Sequence, residues 1–200
     1  MINIRKITLG ILMFMASFSI IAEELPAPQT TGGKPLMQIM NERKSSRDYQ
    51  ENQVVSKQDL SNMLWAAWGI THDGKRTIAT AMNRQELVLY VVTPTEVSRY
   101  NPEANTLTIV NKGDFRKLCT LQDFAAIAPI NIVLAVDTSK QERPEFQNYT
   151  AGAASQNIYL YCAQAGLKSV VRAGFDREKL PQALKLPSNE RILYVQTVGK

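Results

Sequence analysis

Residues 97–110 read VSRYNPEANTLTIV, two β-prone runs separated by turn residues. The runs 97–100 and 106–110 flank Asn101-Pro102-Glu103-Ala104-Asn105, a composition typical of a tight connection. This pattern predicts a β-hairpin, and strands joined by a hairpin are antiparallel. The hairpin therefore favours an α+β fold over a doubly wound parallel sheet.

Strands and helices alternate irregularly on both sides of this hairpin. Continuous β-type runs predict strands at 87–92, 130–136, 167–171 and 192–198. A first helix is predicted from Pro35, with Leu36, Ile39 and Met40 on one face. Helical spacing and capping residues predict four further helices, at 60–68, 114–118, 149–165 and 176–184. The Ser56/Asp59 capping box precedes the first of these helices, and Gly166 ends the third.

The N-terminus has the layout of a secretory signal peptide. Arg5 and Lys6 precede an uncharged apolar run, 7–21, which is followed by Ala22. The run is shorter than the ~20 residues that a membrane-spanning helix needs, although a retained N-terminal anchor is the alternative. We expect cleavage after Ala22, a flexible leader at 23–34, one domain at 35–200, and a periplasmic or secreted protein without a membrane segment after cleavage.

Composition excludes several kinds of site. The 200 residues carry a formal charge of +5, but the cations are scattered, so nucleic-acid binding is not expected. The chain has one His and two Cys, which leaves little material for a protein-built metal site or a Ser-His-Asp triad. Cys119 and Cys162 either pair in an oxidising compartment or are two separate buried thiols.

Three segments carry side chains suited to a ligand. The first, Arg43-Lys44-Ser45-Ser46-Arg47, combines cations and hydroxyls that can clamp a phosphate. The second, residues 76–85, places small side chains beside Asn83 and Gln85, a combination that suits the polar edge of a flat heterocycle. The third, residues 152–174, is a long helix with small residues followed by a strand. Each segment taken alone is also explained by a solvated helix end, a polar loop or a buried helix.

In this order the three segments resemble the nitroreductase family. Residues 43–47 resemble its opening R-[RH]-S-x-[RK] box and residues 79–85 its P-S-[SA]-x-N-x-Q loop. The hairpin around Asn101 resembles the compact subgroup related to thiazoline and oxazoline dehydrogenases. The resemblance implies a nitroreductase-like fold, with a central, mostly antiparallel sheet flanked by helices. It also implies FMN as cofactor, and the implied FMN contacts are Arg43, Lys44, Ser45, Arg47, Thr80, Ala81, Asn83, Gln85, Arg172, Ala173 and Gly174.

The resemblance further implies an oxidoreductase acting on a small molecule, without a catalytic side chain of its own, in a homodimer that packs through residues 152–165. The sequence departs from the family pattern at Ala79 and Thr80, where Pro and Ser are usual, and it ends at Lys200 without the usual tail. A short link, 139–146, stands where larger relatives carry a helical lid. These departures favour a rival interpretation, a secreted binding or accessory protein without turnover.

Overall fold

The computed structural model describes residues 22–200, so the predicted signal segment lies outside it except for Ala22. Within these residues, a single sheet of seven strands runs in the order β1-β4-β3-β2-β5-β7-β6. Every neighbouring pair is antiparallel, as expected from the hairpin. The strands are β1 Ala22–Glu24, β2 Leu87–Val92, β3 Glu96–Asn101, β4 Thr106–Lys112, β5 Ile130–Asp137, β6 Lys168–Arg172 and β7 Glu190–Gly199.

Five α-helices accompany the sheet in the described residues. They are α1 Leu36–Glu42, α2 Lys57–Trp68, α3 Phe124–Ile127, α4 Pro144–Ala165 and α5 Lys179–Ala183. The helix predicted at 114–118 is instead a 3-10 turn at Arg116–Cys119. Among residues 22–200, no helix is both long and apolar enough to cross a membrane.

Helices α2 and α4 pack together on one face of the sheet. The predicted cap of α2 by Ser56 is confirmed, since the Ser56 hydroxyl accepts from the Asp59 amide at 3.0 Å. The main core between these helices and the sheet contains Met63, Leu64, Ile132 and Ile158, all fully buried. Gly166 then ends α4 in the left-handed conformation, with φ 69°.

A second apolar cluster covers the opposite face of the sheet. Its members include Tyr90 and Val133 of the sheet, which pack with Leu180 and Leu184 from α5 and the residue after it, and with the Arg116–Cys119 turn. Cys119 belongs to this cluster, whereas Cys162 lies in the main core beside Met63. The sheet separates the two thiols, and both cysteines are free and buried. The structure therefore favours two separate thiols over the disulfide.

Residues 23–34 differ from the flexible leader predicted for them. β1 pairs with β4, with Glu23 opposite Leu107, and Leu25 is buried in the main core. Further along, the Gln29 amide donates to Asn62 Oδ1 at 2.8 Å. These contacts could not be predicted from the polar composition, because they are hydrogen bonds of backbone groups and do not require a periodic apolar face.

Helix α4 begins five residues before its predicted start at Tyr149. Pro144 occupies its first turn, where a missing amide hydrogen costs nothing because that group has no helical partner. Gln147 then faces the interior and donates to the Gln141 carbonyl. The link between β5 and α4 is consequently shorter than the sequence indicated.

Candidate functional site

The basic box lies along the edge strand β6. The chain leaves α1 at Arg43, and the Ser46 amide then donates to the Ser169 carbonyl at 2.9 Å. Tyr49 fixes the far end of this segment because its hydroxyl donates to the carbonyls of Ser46 and Thr197. The first and third sequence segments are thus brought together at one end of the sheet.

Tyr159 of α4 joins these two segments. Its hydroxyl shares a hydrogen bond with Ser45 Oγ at 2.9 Å and accepts from the Val171 amide at 2.8 Å. The Arg43 guanidinium lies over its ring, 5.3 Å from the centroid. One buried phenol therefore positions the box, the helix and the strand relative to one another.

The cations of the box are not neutralised by carboxylates. In the described part of the chain, salt bridges bind seven other Lys and Arg side chains, but none involves Arg43, Lys44 or Arg47. The neighbouring acid, Asp48, binds Lys168 instead, and that hydrogen bond lowers the pKa of its carboxyl. The box therefore presents three cations that an anionic ligand can approach.

The segment that follows β6 offers backbone rather than side-chain groups. The Arg172 guanidinium turns into the protein and donates to the Cys119 carbonyl at 3.1 Å and to Asn131 Oδ1 at 3.3 Å. Ala173 is exposed, and no hydrogen bond from the amides of Ala173 or Gly174 occurs among the described turn and side-chain contacts. A free amide at this point can donate to the edge of a bound ring.

The second segment forms a strained loop. Met82, Asn83 and Gln85 have φ values of 53°, 54° and 50°, which residues other than glycine rarely adopt. Thr80 supports the loop by accepting from the Gln85 amide at 3.0 Å, and Asn83 Oδ1 accepts from Gln85 Nε2 at 3.2 Å. Such strain persists only where the surroundings impose it, and it is enriched at ligand sites. Ala81 is the first residue of the 3-10 turn Ala81–Asn83.

Within one chain, this loop does not meet the basic box. The loop ends at Glu86, whose buried carboxylate accepts from Thr150 Oγ1 at 2.6 Å, whereas the box contacts Tyr159. Nine residues of α4 separate these two anchor points, which is about 14 Å along the axis. No hydrogen bond or salt bridge of the described chain connects residues 80–85 with residues 43–47. One chain thus carries two groups of the predicted contacts at different places.

Two residues of the site were missing from the sequence prediction. Tyr159 reads as one more apolar position of a helix, and nothing local marks its hydroxyl as the link between segments. Leu121 is exposed although it is large and apolar, and its side chain lies 3.6 Å from where a Cβ on Gly174 would stand. Leu121 therefore adjoins the exposed segment that follows β6.

Comparisons with known proteins agree with this architecture. The model of the nitroreductase family matches residues 40–200, which is most of the chain. A crystal structure from Ralstonia eutropha, of a protein assigned as a nitroreductase, is 34% identical, with a TM-score of 0.83 over 90% of this chain and 89% of that one. The chain therefore belongs to the nitroreductase family, and it has the α+β fold that the sequence predicted.

More distant relatives fall in the same group. A protein of Methanocaldococcus jannaschii assigned as a nitroreductase is 28% identical over 182 residues, covering 82% of this chain and 90% of that one. A Desulfovibrio desulfuricans structure in complex with FMN is 18% identical, with a TM-score of 0.60 over 84% of this chain and 87% of that one. Membership of this family makes the chain an oxidoreductase by class.

Proposed function

We propose that this protein is an exported FMN-dependent oxidoreductase that acts on a small molecule. The observation that carries the proposal is the set of unpaired cations, Arg43, Lys44 and Arg47, beside the free amides that follow β6. The family assignment supports it, as does the FMN complex of the Desulfovibrio desulfuricans relative. When bound, FMN supplies the transfer of hydride or electrons.

The residues present fit this cofactor. Arg43, Lys44 and Arg47 supply positive charge for the phosphate, and a charge-assisted hydrogen bond to phosphate is among the stronger polar contacts in proteins. Ser45 adds a hydroxyl, which Tyr159 holds in place. Ala173 and Gly174 offer amide donors for the ring edge, and the Arg172 side chain is already engaged within the protein. No side-chain nucleophile is needed.

The remaining contacts come from a second copy of the chain in our proposal. The loop that carries Thr80, Ala81, Asn83 and Gln85 is anchored to α4 at Thr150, whereas the box is anchored at Tyr159. The loop therefore does not reach the box of its own chain, and a partner subunit supplies these contacts. Helix α1 supports a dimer because none of its residues is buried, and its Met37 side chain is 75% exposed. A short apolar helix in water is unfavourable unless another surface covers it.

Export follows in this proposal from Arg5, Lys6 and the apolar run 7–21. An exported flavoprotein is separated from the nicotinamide nucleotides of the cytoplasm. A membrane or periplasmic electron carrier therefore serves as the partner for electron transfer. Fractionation of cells that express the full chain tests the location, and recovery of the intact 200-residue chain from the cytoplasm alone would contradict it.

The central experiment identifies the cofactor directly. Purified full-length protein should show a flavin absorption spectrum, release FMN by mass spectrometry in about one equivalent per subunit, and bleach on addition of dithionite. The rival function, a secreted accessory protein without turnover, is favoured by the departures at Ala79 and Thr80. Colourless protein that takes up no added FMN would support that rival.

A further inference from the structure

A cleft of about 340 Å³ opens where the two strands β2 and β3 separate. Their pairing covers only Tyr90–Val92 and Val97–Arg99, so Leu87 and Val88 have no partner on the β3 side. Trp68 and Tyr100 line the cleft together with these apolar side chains. The Thr80–Gln85 loop adjoins it through Gln85. The cleft thus offers apolar walls and aromatic rings at the edge of a strained loop.

Arg76 is buried in this cleft with one arm of its guanidinium unused. Its side chain is only 9% exposed, and it lies over the Trp68 ring at 4.8 Å from the centroid. Nε donates to Gln85 Oε1 at 2.9 Å and Nη2 to Glu103 Oε1 at 2.5 Å. Nη1 is buried and has no hydrogen-bond partner among residues 22–200. An unsatisfied buried donor is costly, and it requires an acceptor that the protein itself does not provide.

The charge of the cleft favours an anion as that acceptor. Arg99 is already matched, because its guanidinium binds the Glu190 carboxylate at 2.7 Å. Lys140 is exposed, lines the same cleft and makes only a long contact, 3.4 Å, with the Gln85 carbonyl. Arg76 and Arg99 are matched by Glu103 and Glu190, whereas Lys140 lies near Glu103 and Asp137 but forms a salt bridge with neither. Burial acts to raise the pKa of Glu103, but Arg76 and Lys140 lower it below its usual range.

We propose that this cleft binds a small organic carboxylate. One carboxylate oxygen accepts from Arg76 Nη1, the other faces Lys140, and the apolar part of the molecule lies against Trp68, Leu87 and Tyr100. An organic carboxylate is favoured over inorganic phosphate because the apolar side chains of the cleft can contact the rest of an organic molecule, which phosphate lacks. This binding needs no flavin, so it goes beyond the proposed function and is tested separately from it.

Titration calorimetry of the full-length protein with benzoate, benzamide and inorganic phosphate tests the proposal. Benzoate should bind saturably and at least tenfold more tightly than its neutral isostere benzamide, because a charge-assisted hydrogen bond is worth roughly a factor of ten or more. Equal binding of the two, no binding of benzoate at about 10 mM, or displacement of bound benzoate by a lower concentration of phosphate would overturn the assignment.

Variants place the ligand within the cleft. Lys140→Gln should weaken benzoate binding about threefold, as expected for loss of an exposed charge partner, and Arg76→Gln should weaken it more than tenfold. Glu103→Gln should strengthen it by removing a competing anion. Lys117→Gln, which removes an exposed cation outside the cleft, is the matched control and should change nothing. Arg76 packs on Trp68, so Arg76→Gln can fail to fold. In that case the variant of the exposed Lys140 decides the outcome. Unchanged benzoate binding in Lys140→Gln would overturn the proposal.

Discussion

The basic box shows how residue identity and residue geometry differ in what they reveal. Arg43, Ser45 and Arg47 could be selected from the sequence because cations and hydroxyls close together suit a phosphate. The direction in which the Arg172 side chain points could not be predicted, since its hydrogen bonds to Cys119 and Asn131 join segments that are distant in the chain. Tyr159 escaped notice for the same reason. Local chemistry is visible in a sequence, whereas the partner of a side chain is decided by tertiary packing.

Replacing Arg43 by Ala should weaken FMN binding by about 1.5–3 kcal/mol, the contribution of a hydrogen bond to a charged group. The dissociation constant of added FMN, followed by quenching of flavin fluorescence, measures the effect. Lys117→Ala is the control, because it removes an exposed cation away from the box. Wild-type affinity in the Arg43 variant would show that the phosphate is bound elsewhere.

The variant Tyr159→Phe should destabilise the fold by about 1–3 kcal/mol, because the Val171 amide and the Ser45 hydroxyl lose the same partner. Chemical denaturation measures the free energy of unfolding. Tyr194→Phe is the matched control, since its hydroxyl contacts only the exposed Asn148 and its loss should change stability little. Equal effects of the two substitutions would refute the linking role of Tyr159.

At the level of elements, strands with continuous apolar runs were predictable. β2 occupies Leu87–Val92 as predicted, and the hairpin of β3 and β4 closes around Asn101 and Asn105. β1 was not predictable, because Ala22–Glu24 has no apolar alternation and becomes a strand only by pairing with the free edge of β4. α3 was missed because a helix of four residues has too short a pattern to recognise.

Helix α4 provides a direct test of the dimer. A Cβ at Gly152 would meet nothing within 4 Å, so Gly152→Leu fits the single chain. The substitution should not destabilise the fold of the single subunit, since leucine is the better helix former, although loss of a partner subunit would by itself lower the unfolding temperature. If this face is the interface, it should convert a dimer into a monomer by light scattering.

The exposed substitution Lys179→Leu in α5 is the control for Gly152→Leu, and it should leave the dimer intact. A Gly152→Leu protein that is still fully dimeric would exclude this surface as the interface. A parent protein that is monomeric yet binds FMN would contradict the dimer proposal altogether.

For the whole molecule, buried phenols and thiols set an alkaline limit. Burial raises the pKa of Tyr100 and Tyr161 to about 12 from 10.0, and that of Cys119 and Cys162 to about 12 from 9.0. The unfolded chain releases these protons first, so the folded state holds more of them above pH 9. The free energy of unfolding should therefore fall steadily between about pH 9 and pH 12.

Urea titrations at several pH values measure that decline. Cys119→Ala and Tyr100→Phe should each make it shallower, whereas Tyr149→Phe, at an exposed position, should leave the slope unchanged. Stability that is constant across this range would mean that these groups are not protected from solvent in solution.

The electron donor is also a question for the whole molecule. If the enzyme is exported as we propose, it lacks cytoplasmic nucleotides, and we then expect NADH and NADPH to reduce the bound flavin slowly and without saturation at micromolar concentration. Stopped-flow absorbance of the FMN-loaded protein measures this rate, with dithionite as the positive control. Fast, saturable reduction at micromolar nucleotide would contradict the expectation.

The short strand β1 has a consequence for the order in which the chain is cleaved and folds. A processing peptidase cuts a segment that is extended and accessible, yet Ala22, Glu23 and Glu24 lie in a ladder with Thr106, Leu107 and Thr108. If the signal segment is removed after Ala22, the cut has to precede completion of the sheet. Maturation, folding and cofactor loading then follow one another in a fixed sequence, and a precursor that folds too early escapes processing.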